Sequence, residues 1–93
     1  MQAVNLFRLR QVITGAFDRN SLEIAVSKTN RELDQIVGPE NLNAVVFYLL
    51  KAAHKQGWLE ELLQALKEER PQNRPLQAEI DDALAAIKAA GPT

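Results

Sequence analysis

Cysteine is absent from this chain of 93 residues. That excludes a disulfide framework and any thiolate metal site. Histidine occurs once, at His54, so no pair of imidazoles is available to hold a metal. Glycines stand singly at 15, 38, 57 and 91, so no glycine-rich loop can cradle a phosphate. Aromatic residues number five, three Phe with one Tyr and one Trp. No apolar run approaches the ~18 residues that a membrane span needs, and no basic-then-apolar leader opens the chain. Charge of either sign is close to balanced, at −1 net, which disfavours a nucleic-acid binder whose affinity rests on neutralised phosphates. The expectation is one soluble, intracellular domain.

What is present is ordinary globular material, 46% apolar and 25% charged. The charge is unevenly spread. Residues 1–57 carry seven Lys/Arg against five Asp/Glu, and residues 58–93 four against seven. The apolar residues recur with helical spacing throughout, and no strand alternation interrupts them.

The most apolar stretch runs from Asn41 to Trp58. Leu42, Val45, Val46, Leu49, Leu50 and Ala53 fall on one helix face, and Ala44 to Leu50 is apolar at every position. Such a helix needs neighbours on several sides. Gly57 suits the left-handed position that ends a helix. Residues 41–57 are therefore predicted to be a central, buried helix.

Five further helices are expected around it. Val4 to Phe17 has a stripe of Leu6, Leu9, Ile13 and Phe17, with Arg8 and Arg10 on its other faces. Gly15 there is either a close helix contact or an early end. Asn20 with Glu23 resembles a capping box opening a helix over Leu22 to Lys28. Thr29-Asn30-Arg31-Glu32 repeats that signal before a short third helix with Leu33, Ile36 and Val37 inward, stopped by Gly38-Pro39. Leu59, Leu62, Leu63 and Leu66 make a clean stripe ending near Arg70, with Glu60, Glu61, Glu68 and Glu69 off it. After a break with two prolines, Leu76 to Ala90 is the last helix. The predicted fold is an all-α, compact six-helix bundle.

Chemistry is hard to find in this pattern. Adjacent acids on a helix point ~100° apart, so Glu60-Glu61, Glu68-Glu69 and Asp81-Asp82 do not converge on one substrate atom. Ser21, Ser27, Thr14 and Thr29 have no base beside them. No catalytic, cofactor-binding or metal-ligating set is predicted. Trp58 and Tyr48 are assigned to the core rather than to a partner. Arg8, Arg10, Arg19, Lys28 and Arg31 form a basic set in the first three helices. It reads either as a solvated face or as a patch that meets the Glu60-Glu61 edge of another copy, head to tail and sensitive to salt. A small helical nucleic-acid-binding domain using the same N-terminal basic set is the competing expectation.

Ala16-Phe17, Leu22, Leu33, Ile36, Asn41-Leu42, Val46-Phe47, Leu49, Ala53, Gly57, Leu59, Leu62-Leu63, Ala65, Pro71, Asn73 and Leu76, in that order, resemble the first-described effector-associated domain. This is a death-like helical domain of bacterial conflict systems. The likeness spans about residues 3–76, leaving 77–93 as a C-terminal helix that completes the bundle or leads to a neighbouring domain. The chain departs from the family pattern at Asp18, where proline is usual, at Ala52-Ala53 in place of Trp-Ala, and at Arg74 before Pro75. The resemblance implies a death-like fold and a non-catalytic adaptor without cofactors. Such domains are fused to proteases, TIR domains, nucleases or signalling NTPases. They recruit effector to sensor by homotypic pairing with other death-like or effector-associated domains, in the same or a different chain.

Overall fold

Side chains that can accept from a backbone N–H mark where most of the helices begin. In the computed structural model, which describes residues 6–38 and 40–89, they separate α1 (Leu6–Ala16), α2 (Arg19–Ser27), α3 (Leu42–Gln56), α4 (Leu59–Glu69) and α5 (Arg74–Ala89). The Asn41 side chain accepts from the Ala44 N–H at 2.9 Å and opens α3. Gly57 closes it with φ of 85°, its N–H donating to the Ala53 carbonyl. Both ends of this helix fall where the sequence predicts. No strand occurs among the described residues.

Three expectations are corrected. The predicted third helix is a single 3₁₀ turn, Leu33–Gln35, so the described residues hold five α-helices rather than six. Glu32 heads that turn without a side-chain cap, and the N–H groups of both Ile36 and Val37 converge on the Leu33 carbonyl. The segment is too short to repay helix nucleation. Thr29, predicted to cap it, instead donates its hydroxyl back to the Val26 carbonyl at the end of α2. Asn30 then turns the chain at φ of 64°. Asn20 is not the cap of α2 either. Asp18 accepts from the Ser21 N–H at 2.8 Å and starts the helix at Arg19. Finally, α5 begins at Arg74, ahead of the predicted Leu76. Asn73 accepts from the Leu76 N–H, and Pro75 sits inside the first turn, where its missing N–H leaves no bond unmade. Val4, Pro39, Ala90, Gly91 and Pro92, which also figure in the sequence reading, lie outside the described residues.

Packing places α4 at the hub. It lies against α2, α3 and α5, whereas α3 packs chiefly on α1 and also on α4, and α1 also meets α5. Leu59, Leu62, Leu63, Ala65 and Leu66 of α4 are all buried. Helix α3 buries Val45, Val46, Leu49, Leu50 and Ala53, but Tyr48 is exposed and Phe47 half-buried. The central helix of the sequence reading is thus open along one side. Leu76 and Ile80 of α5 are fully buried against the same core. Gln77 donates its side-chain amide to the carbonyls of Lys67 and Arg70, which fixes the α4–α5 corner. No helix among the described residues is long and apolar enough to cross a membrane.

Candidate protein-interaction surface

Residues two apart on a helix point to opposite sides. Arg8 and Arg10 show it. Arg8 reaches Glu79 on α5, with Nη2 2.7 Å from Oε1. Arg10 turns toward α3, its guanidinium 4.9 Å from the Phe7 ring centre and 5.7 Å from that of Phe47. Its Nε is shielded from water and has no acceptor.

The other three predicted cations sit elsewhere. Arg19 spans from α2 to the segment around the 3₁₀ turn, donating to the Gly38 carbonyl at 3.2 Å and to Asp34 at 3.1 Å, with Glu23 at 3.9 Å. Lys28 holds Glu69 at 2.5 Å and Glu68 at 4.0 Å across the α2–α4 seam. The hydrogen bond to Glu69 raises the Lys28 pKa above the ordinary ammonium value. Arg31 lies over the Trp58 ring at 4.1 Å, donates to the Thr29 carbonyl and stands 3.6 Å from Glu61. The five cations therefore do not form one patch. Four of them have a carboxylate on their own chain. Arg31 and Glu61, expected on opposing surfaces, are neighbours.

Trp58 is buried as predicted, its Nε1–H donating to the Gln56 side chain. Tyr48 is not. It is 47% exposed, and Phe7 is 57% exposed. Phe7, Arg10, Phe47, Tyr48 and Lys51 make a continuous strip across α1 and α3. The Phe47 and Tyr48 ring centres are 5.7 Å apart, and Lys51 Nζ is 6.0 Å from the Phe47 ring centre. Two local spacings signal this strip in the sequence, Phe7 to Arg10 at i, i+3 and Phe47 to Lys51 at i, i+4. Its unity depends on α1 lying beside α3, which no local spacing encodes.

A second feature is an open groove of about 410 Å³ beside α4. Glu60, Gln64 and Glu68, spaced at i, i+4, i+8, line it together with Glu61, Lys28 and Gly57. Among the described residues Glu60 has no cationic partner, and no group of His, Asp and Glu is placed to hold a metal ion. His54 is exposed on α3. The arrangement offers two exposed aromatic rings, an arginine beside them and a groove edged by glutamates and Lys28.

A family model described as effector-associated domain 1 matches residues 2–84, ending within α5. No curated protein and no solved structure matches the chain.

Proposed function

This chain belongs to the effector-associated domain 1 family, and we propose that it acts as a non-catalytic adaptor of death-like type. In this reading it brings effector to sensor in bacterial conflict or antiviral signalling, in the cytoplasm, by pairing with other effector-associated domains. The module includes α5, whose Leu76 and Ile80 belong to the common core.

The observation that carries the reading is the exposed strip of Phe7, Arg10, Phe47 and Tyr48. Large aromatics and arginine supply most of the energy in protein interfaces. A soluble domain with five aromatics gains nothing for its own core by leaving two of them half in water. Arg10 lies against the Phe7 and Phe47 rings with no carboxylate partner among the described residues, so its charge is available to an incoming acceptor.

Nucleic-acid binding is less well supported. Arg8, Arg19, Lys28 and Arg31 each hold a carboxylate of the same chain, so phosphate contact requires those pairs to open first. Calorimetry of the chain against itself and against a panel of other effector-associated domains tests the proposal. Saturable binding to at least one of them is expected. Titration that stays flat for every domain, alongside salt-sensitive binding of a random oligonucleotide, would overturn the adaptor reading.

A further inference from the structure

Beside the ion pairs within the chain, two surfaces of opposite character stand out. On α1 and α3, Arg10, Lys51 and Lys55 have no carboxylate partner among the described residues, and Phe7 and Tyr48 stand out beside them. On α4, Glu60, Gln64 and Glu68 follow one helix face, with Glu61 next to them; Glu60 has no cationic partner among the described residues, whereas Glu61 stands 3.6 Å from Arg31 and Glu68 stands 4.0 Å from Lys28. The groove they line has small residues at its floor and end, Ala65 being buried and Gly57 having no side chain. A ring can lie on such a floor while a cation on its edge reaches the glutamates.

We propose that the Phe7–Arg10–Tyr48–Lys51 face of one copy docks into the Glu60–Gln64–Glu68 groove of a second copy, head to tail. The inference rests on the chain's being a module that pairs with its own kind, and it names the two faces that meet. Charge selects the pairing. Two copies can bring together α1/α3 faces, α4 grooves, or one of each. The first sets Arg10, Lys51 and Lys55 against the same three cations, and the second sets Glu60, Glu61 and Glu68, which outnumber the neighbouring Lys28 and Arg31, against the same acids. Like charges across an interface are repulsive, so the mixed contact is the favourable one. Because its two surfaces differ, the contact is heterologous. The joined pair still presents one free surface of each kind, and assembly continues into rings or filaments. The basic half of the contact is thus Arg10 with Lys51 and Lys55, and the acidic half is centred on Glu60. Arg8, Arg19, Lys28 and Arg31 serve their own fold.

Sedimentation velocity on complementary variants tests this. Tyr48→Ala with Lys51→Ala disables one face, and Glu60→Gln with Glu68→Gln disables the other, so that the two altered surfaces gain no charge for one another. All four positions are exposed, and far-UV circular dichroism checks that each variant stays helical. At millimolar concentration and low salt the wild type is expected to form a series of oligomers that dissolves as salt is raised. Each variant alone loses at least about tenfold in association. An equimolar mixture of the two forms a one-to-one dimer that grows no further, since one working surface of each kind remains. If the wild type assembles but the mixture does not, or the mixture grows past the dimer, the assignment of faces is overturned while homotypic pairing stands. If the wild type is monomeric throughout, both the inference and self-pairing fall, leaving pairing with other effector-associated domains to the calorimetry.

Discussion

Arg70 donates from Nε to the carbonyl of Ala16 at 3.1 Å, joining the end of α4 to the end of α1 across 54 positions of sequence. Its Nη2 reaches the Ser21 hydroxyl at 2.8 Å, and its guanidinium lies 4.7 Å from the Phe17 ring centre. One fork thus satisfies a helix-terminal carbonyl, grips the first turn of α2 and covers a core aromatic. Arg70→Ala is expected to cost about 1–3 kcal/mol in urea unfolding. Arg70→Lys should recover little of it, because a single ammonium cannot serve two acceptors at once while lying flat on a ring. Full rescue by lysine would show that charge alone matters there.

The two helix-associated glycines at 15 and 57 should respond to alanine in opposite directions. Gly15 lies within α1, is exposed, and has open space where a Cβ would go. The alternative of a close helix contact is therefore excluded. Gly15→Ala should stabilise by about 0.5–1 kcal/mol, through a less disordered unfolded chain. Gly57 has equal space, but its φ of 85° strains any L-residue. Gly57→Ala should destabilise by about 1–2 kcal/mol. Thermal unfolding of both variants decides, and a shift of the same sign in each would contradict this account.

Acid should weaken the start of α2. The Ser21 backbone N–H bonded to Asp18 holds that carboxyl below its ordinary value, with the Ser21 hydroxyl acting in the same direction. A group depressed in the folded state contributes stability above its unfolded pKa, about 3.9, and loses it as pH falls through the folded value. Asp18→Asn keeps a capping oxygen but has nothing to titrate. The stability difference between wild type and variant should favour wild type near neutrality and shrink steadily on acidification. A difference independent of pH would mean that the Asp18 charge plays no part in the cap.

Much of the fold was legible in the sequence because its signals were local. Asn41 and Gly57 bound α3 within a residue, and the leucine stripe of α4 is buried throughout. Errors arose where two local signals competed. Asp18 and Asn20 are both good caps, and the choice depends on which oxygen meets an N–H three residues on. Pro75 reads as a break, yet the first turn of a helix tolerates it. The candidate surface was legible only in pieces. Counting arginines located charge but not its partners, because Arg8 meets Glu79 and Arg31 meets Glu61 only after the helices pack. Tyr48 lies inside an unbroken apolar run, so periodicity alone assigns it to the core. The number of neighbours around α3 settles its exposure.

That neighbour count also predicts where stability is concentrated. Leu63 lies on α4, which three other helices cover, and its side chain is fully buried. Truncation there leaves a cavity that several rigid elements would have to move to fill, so Leu63→Ala should cost about 2–5 kcal/mol. That is a large share of the roughly 5–15 kcal/mol that stabilises a domain of this kind. Tyr48 is the larger residue and belongs to the most apolar helix in the sequence, so composition alone ranks its loss as worse. Its ring is nevertheless about half in water and rests on Phe47. Tyr48→Ala should change stability by no more than about 0.5 kcal/mol. Urea unfolding of the two variants, at concentrations too low for association, separates these expectations. A cost for Tyr48→Ala close to that of Leu63→Ala would mean that the ring is covered in the monomer. The α1/α3 strip would then be part of the core and unavailable to a second copy.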